Sequence, residues 1–195
     1  LQAWNERLAA VGAEVIARRE AFIEALSDHL PEVHEALTGD DTPLEVGYRA
    51  CSAPGDTDAL RELLERSADA ELDRGQTLVG PHREDLSLRL KGKDLRTFGS
   101  QGQVRTAALT LKLALLASTA SRVGSPPMFL LDDLGSELDP DRNERLLARL
   151  GAEGGQVFVA TTSLVHVPLP RDRYTAITVA SGEATGDRVE SGAGD

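Results

Sequence analysis

The chain has 195 residues, is 41% hydrophobic, carries a formal net charge of −11 and holds a single cysteine, Cys51. This size suits one large domain or one and a half small ones, and one cysteine excludes an internal disulfide framework and fits a reducing, cytoplasmic setting. No apolar run nears the length of a membrane span, and the acidic balance disfavours indiscriminate polyanion binding.

The charge is unevenly spread. Residues 1–76 carry 7 basic and 17 acidic side chains, residues 77–125 carry 8 and 3, and residues 126–195 carry 6 and 12. Only the middle block offers phosphates a favourable field.

Residues 1–30 are predicted as an amphipathic helix, because Trp4, Leu8, Val11, Val15, Phe22 and Leu26 recur at helical spacing with charges between them. Pro31 interrupts, and a further turn or two runs to Leu37. Thr38-Gly39-Asp40-Asp41-Thr42-Pro43 reads as a loop. Residues 44–51 alternate as a strand. After Ala53-Pro54-Gly55-Asp56, either Thr57 or Asp58 caps a helix to about Asp73. These pieces make a mainly helical arm, residues 1–76, with a strand between its limbs. Heptads are not sustained, which argues against a long rod. His29 and His34 are poorly spaced to share a metal, and Cys51 reads as a small core residue.

The character changes at Thr77. Residues 80–86, GPHREDL, read either as a solvated loop or as a polar cluster facing nucleotide or a partner. Leu86, Leu88 and Leu90 alternate as a strand, and Gly92-Lys93 turns a hairpin. Phe98-Gly99-Ser100-Gln101-Gly102-Gln103 then precedes residues 104–122, apolar on most faces and hence a largely buried helix. A helix start with glycine and hydroxyl groups is a ready anion site; the plainer alternative is an N-cap, which Ser100 supplies.

Met128 to Leu131, bounded by Ser125-Pro126-Pro127, are expected as a buried central strand of a mostly parallel sheet, residues 77–181 forming the second domain. The strand runs into Asp132-Asp133. Two like charges there are costly unless a cation or a shared proton offsets them. A hydrophobic strand ending in acid is the Walker-B pattern, in which an Asp holds the Mg²⁺ of a nucleotide; the alternative is a core strand followed by an acidic turn. Asp139 caps and Pro140 opens a helix to about Leu150. Residues 156–160 form a strand ending in Thr161-Thr162-Ser163, residues 174–180 a last strand, and residues 182–195 a disordered tail.

A Ser-x-Gly-Gln turn opening a buried helix, a strand ending in Asp-Asp, and Ser136-Glu137-Leu138-Asp139 directly after it stand in one order. That order resembles the second half of an ABC-type ATPase head. The segments GPHREDL, FGSQGQVRTAALTLKLALL and FLLDDLGSELDPDR resemble the RecF family of bacterial recombination mediators, relatives of the chromosome-maintenance ATPases. The likeness is close over residues 77–163 and looser over the arm.

The resemblance implies an α/β fold: the carboxyl-terminal lobe of an ABC-type ATPase head, with a mostly parallel sheet and a buried signature helix, plus a mainly helical arm. It implies ATP and Mg²⁺ as cofactors, with Asp132 holding the metal and Asp133 orienting or deprotonating the attacking water in a slow hydrolase. Ser100, Gln101, Gly102 and Gln103 would lie toward the γ-phosphate of a nucleotide held by another subunit, with Arg105 bracing that loop. Ser136 and Asp139 would cross the interface of an ATP-dependent homodimer. DNA, double-stranded or gapped, and the RecR and RecO proteins are the implied partners, and recombinase loading in repair and replication the implied task.

Two departures qualify it. No G-x-x-x-x-G-K-[ST] occurs, since Gly92-Lys93 is followed by Asp94; the chain therefore reads as a carboxyl-terminal half whose isolated sheet exposes edges and apolar surface. The switch histidine of ABC proteins is replaced near Thr161-Thr162-Ser163, with His166 a few residues on.

Overall fold

A computed structural model describes residues 2–132, 139–169 and 173–187. Asp133 and Ser136 lie outside the described residues. The chain divides into two compact units, Leu1–Pro127 and Met128–Asp195. The expected boundary at 76/77 falls inside the first unit, because strands from either side of it pair with each other.

Helix α1 spans Gln2–Ser27 and α2 spans Leu30–Thr38. Pro31 lies in the first turn of α2, where its missing N–H costs nothing, so the proline starts a helix here. Gly39, at φ 70°, closes it. Helix α3 spans Thr57–Arg74, and its cap is Asp56, whose carboxylate accepts from the Ala59 N–H at 2.8 Å. The cap thus lies one residue before the predicted pair.

The buried face of α1 follows the predicted stripe only in part: Leu26 is buried and Leu8 packs against the core, but its centre lies elsewhere. Ala9, Ala13 and Ile16 pack with Leu60 and Leu64 of α3, whereas Trp4 is 75% and Val11 54% exposed. The reason is a close helix approach built on small residues. A Cβ on Gly12 would lie 2.9 Å from Leu60 Cδ2 and 3.3 Å from Pro81 Cδ. A stripe drawn through the large side chains therefore misplaces Trp4 and Val11 and misses Ala9 and Ala13.

Strands β1 (Leu44–Arg49), β2 (Asp85–Leu90) and β3 (Lys93–Asp94) form an antiparallel sheet in that order. The β1–β2 register runs from Leu44 opposite Leu90 to Arg49 opposite Asp85. Lys91 (φ 54°) and Gly92 (φ 71°) make the β2–β3 turn, both left-handed as a two-residue hairpin requires. The short helix α4 (Leu95–Phe98) and the long helix α5 (Gln101–Val123) follow. Thr106, Ala107, Thr110, Leu113, Ala114 and Leu116 are buried, and α5 packs against α2 and α1. His34 of α2 is buried, its Nδ1 3.1 Å from Thr110 Oγ1. The Thr110 hydroxyl donates its proton to the Thr106 carbonyl at 2.9 Å, so His34 Nδ1 is the donor of the pair. Among the described residues no group of three or more His, Cys, Asp or Glu is placed to hold a metal ion.

In the second unit β4 (Phe129–Leu131) pairs in parallel with β5 (Val157–Val159) across helix α6 (Pro140–Ala152), a βαβ unit. Helix α6 buries Asn143, Leu146, Leu147 and Leu150. The strand expected to be buried is open: Leu130 is 71% and Phe158 44% exposed. A parallel pair needs layers on both faces, and among the described residues one face is bare. Strand β6 (Ala176–Ala180) turns at Ser181-Gly182 into β7 (Glu183–Asp187), so residues 183–187 are a strand where a tail was expected. No helix among the described residues is long and apolar enough to cross a membrane.

Gly12→Val is expected to force α1 and α3 apart at Leu60 and to cost about 1–3 kcal/mol, read as a lower urea midpoint at unchanged slope.

Candidate functional site

The site is described from the residues that lead into α5. Asp94 ends β3 and caps α4, accepting from the Arg96 N–H at 2.9 Å and the Thr97 N–H at 3.3 Å. Its partial burial opposes the charge, but the Arg96 N–H and the Arg49 guanidinium outweigh that and hold the carboxyl below its ordinary value. Gly99 ends α4 with its N–H on the Leu95 carbonyl at 3.0 Å. A Cβ on Gly99 would lie 2.5 Å from that same carbonyl oxygen; only glycine fits.

Ser100 then starts α5 in a capping box. Its Oγ accepts from the Gln103 N–H at 3.2 Å, and the Gln103 side chain accepts from the Ser100 N–H at 2.9 Å. Of the two sequence readings of this turn, the N-cap is the one the structure shows; a helix start also carries positive partial charge. Gln101, Gly102, Gln103 and Arg105 are all exposed. Gly102 differs from Gly99. It is helical, has no left-handed φ, and a Cβ there would meet nothing within 4 Å. Neither packing nor backbone within this chain demands glycine, although glycine costs a helix roughly 0.5–1 kcal/mol relative to alanine. The bare position leaves the outer face of the turn open to close approach from outside.

In the second unit Asp132 follows β4 and is exposed, at the carboxyl end of a parallel strand where ligands bind in open α/β sheets. As a single hard carboxylate it suits Mg²⁺, which takes one or two carboxylates together with phosphate oxygens. Asp139 caps α6 as predicted: its Oδ1 accepts from the Arg142 N–H at 3.0 Å, and its Oδ2 lies 3.4 Å from Arg142 Nε. Thr161 accepts from the Ser163 N–H at 3.3 Å in the turn after β5.

The GPHREDL segment resolves largely into scaffold. Arg83 donates to the Thr77 carbonyl at 3.0 Å and to Gln76 at 2.8 Å. Arg19 of α1 donates to the Pro81 carbonyl at 2.6 Å and to the Tyr48 hydroxyl at 3.0 Å. Tyr48 in turn donates to Glu84, which also accepts from the Cys51 N–H at 2.8 Å. Partial burial pushes the Glu84 carboxyl up, but the Cys51 N–H, the Tyr48 hydroxyl and Arg19 together bring it below its ordinary value. Cys51 is exposed, contrary to the core role expected of it, because β1 ends at Arg49 and the chain turns outward. Although the residue as a whole is exposed, partial desolvation of its thiol, and then the hydrogen bond to anionic Glu84, push its pKa up to about 11. At neutral pH it is a protonated thiol and a poor nucleophile. Sequence reading missed Arg49, Asp94, Arg96 and Gly99; the one local signal was an Asp directly before Leu95-Arg96-Thr97-Phe98, the pattern of an N-cap.

A capped signature-type helix, an arm sheet leading into it, and a βαβ unit whose first strand ends in acid define the carboxyl-terminal lobe of an ABC-type ATPase head with its arm, an α/β fold. No protein-family model matches the chain. It is 36% identical over 187 residues to the DNA replication and repair protein RecF of Geotalea daltonii, covering 92% of this chain and 51% of that protein. It is 40% identical over 169 residues to RecF of Heliobacterium modesticaldum, covering 84% and 45%. Two solved structures of the recombination mediator protein RecF of the RecFOR pathway are similar. RecF-ATP has a TM-score of 0.77 at 30% identity, covering 96% of this chain and 50% of that one; RecF-ATPrS has 0.76 at 31%, covering 95% and 50%. An SMC ATPase structure matches in fold alone, with a TM-score of 0.50 at 15% identity over 86% of this chain and 84% of that one. The chain belongs to the RecF family, corresponds to its carboxyl-terminal half, and spans about half the length of the curated relatives it matches.

Gly102→Ala is expected to raise the stability of this chain by up to about 1 kcal/mol. Gly99→Ala, which drives a Cβ into a backbone oxygen, is expected to lower it by about 1–3 kcal/mol. Paired thermal melts of the two variants read opposite signs; equal shifts would show that the two glycines are not distinguished by packing.

Proposed function

We propose that this chain is the signature half of an ATP-dependent, DNA-binding mediator of recombination in DNA repair and replication. In the full-length protein two subunits close around ATP and hydrolyse it slowly, and the protein acts in the cytoplasm with RecR and RecO to help load recombinase at gapped DNA. The observation that carries this reading is Gly102, bare and unpacked beside the Ser100 cap in a chain of the RecF family.

Within this reading the Ser100 hydroxyl and the first N–H groups of α5 approach the γ-phosphate held by the other subunit. The missing Cβ of Gly102 lets the backbone come close, and the Gln103 side chain leaves the Ser100 N–H when phosphate oxygen replaces it. Helix partial charge favours that exchange. Arg105, one turn on and exposed, adds a cation on the same approach. Asp132 holds Mg²⁺, which when bound neutralises phosphate charge. Asp133 would orient the attacking water and take its proton, and Ser136 and Asp139 would act on the partner subunit's site. The sequence has no phosphate-cradling lysine motif, so each site is completed by the other half of the protein.

DNA contact from this half draws on the middle basic block. Part of that charge is already engaged: Arg96 pairs with Asp85 at 3.0 Å and Lys91 lies 4.0 Å from Asp40. Reversing Arg89, Lys91 and Lys93 together is expected to lower affinity and flatten the salt dependence of DNA binding by the full-length protein. An unchanged slope assigns the contacts to other residues.

The nucleotide reading is tested in full-length protein by Ser100→Arg and Asp133→Asn. Ser100→Arg is expected to keep ATP binding by the monomer while abolishing ATP-induced dimerisation in light scattering. Asp133→Asn is expected to hold the ATP dimer and stop turnover. Dimerisation of Ser100→Arg equal to wild type removes Ser100 from the site.

A further inference from the structure

The chain enters α5 through a group of four charges, of which Asp94 has a folding role as the cap of α4 and the other three have none as plain. Arg49 is the last residue of β1, Asp85 the first of β2, and the two stand opposite each other in the register. Asp94 caps α4 and pairs with Arg49. Arg96, inside α4, pairs with Asp85 at 3.0 Å. The four therefore alternate in sign from Asp94 to Arg49 to Asp85 to Arg96, Asp94 itself standing opposite Arg89 in the β2–β3 register, and both ends of the series lie on α4 and its cap.

These pairs are wet. Side-chain exposures are 51% and 23% for Arg49 and Asp94, and 76% and 62% for Arg96 and Asp85. Exposed pairs contribute about 0–1 kcal/mol to stability, so holding the fold is a weak reason for four charges in one place. Their geometric effect is larger. Helix α4 has four residues and one buried anchor, Leu95, and a single turn of helix does not hold its own direction. The two pairs fix it at its cap and along its side. From there the path to the Ser100 hydroxyl is stiff: Gly99 is wedged on the Leu95 carbonyl, and the capping box locks Ser100 to Gln103.

We infer that Arg49, Asp85, Asp94 and Arg96 are positioning residues that aim the Ser100 turn, so that the setting of the arm sheet governs how readily a subunit closes on the nucleotide of its partner. The inference rests on the dimer reading above and adds to it a route by which events on the arm reach the γ-phosphate end of α5.

The test uses full-length protein and ATP titrations read by light scattering, with monomer ATP affinity and melting temperature measured beside them. Asp85→Asn and Arg96→Gln are each expected to raise the ATP concentration for half-maximal dimerisation about fivefold or more. Melting temperature and monomer ATP affinity stay at wild-type values. Arg96→Lys, which keeps the charge, restores most of the response, and the double variant is no worse than either single one because the two act as a pair. Wild-type dimerisation by Asp85→Asn and Arg96→Gln, with Ser100→Arg inactive in the same assay, overturns the inference and leaves the nucleotide reading standing. Ser100→Arg that still dimerises overturns both. A loss accompanied by a lowered melting temperature and not restored by Arg96→Lys assigns the four charges to folding and also overturns it.

Discussion

The antiparallel pairing of β1 with β2 is the constraint on which the first unit depends. It joins residues 44–49 to residues 85–90 across the whole of α3, and so makes the arm and the run into α5 parts of one body. Closing so long a loop is entropically costly, and the buried packing of α1 on α3 at Ala9, Ala13, Ile16, Leu60 and Leu64 offsets that cost. Arg19 then ties α1 to the outer end of the same sheet through Tyr48 and Pro81. Everything upstream of Ser100 is referred to this sheet.

The start of α5 shows how one set of atoms serves folding and proposed binding alike. A helix leaves its first N–H groups without partners, and Ser100 and Gln103 satisfy two of them from within the chain. The same donors are available to an incoming anion because the cap is held only by side chains. Glycine at 102 is unfavourable for the helix and unneeded for packing; glycine at 99 is the reverse, fixed by the Leu95 carbonyl. Two glycines three residues apart thus have unrelated causes.

The second unit has a different balance. Helix α6 buries one leucine face and caps itself at Asp139, yet Met128, Leu130 and Phe158 stay exposed at 56%, 71% and 44%. Parallel strands are stable when layers cover both faces, and among the described residues this face carries no such layer.

What the sequence determined by itself were the local, covalently near features. Asp139-Pro140 opening α6, Ser100 opening α5, a hairpin turn at Gly92 (read as Gly92-Lys93, one residue later than the Lys91-Gly92 turn that forms) and the β4 run before Asp132 all follow from residues within a few positions of one another, where capping, φ preference and apolar runs act directly. The order of the signature-type turn and the acidic strand was legible for the same reason, and with it the family. Tertiary structure decided which face of α1 is buried, because close approach at Gly12 favoured small residues over the larger Trp4 and Val11. It also turned Cys51 outward and bound Glu84 to Tyr48 and the Cys51 N–H. The Arg49–Asp94 pair depends on the β1–β2 register and the Arg96–Asp85 pair on the β2–β3 hairpin that leads into α4, so that residues 45 and 11 positions apart meet; no local propensity encodes such meetings, since they exist only once the sheet has closed.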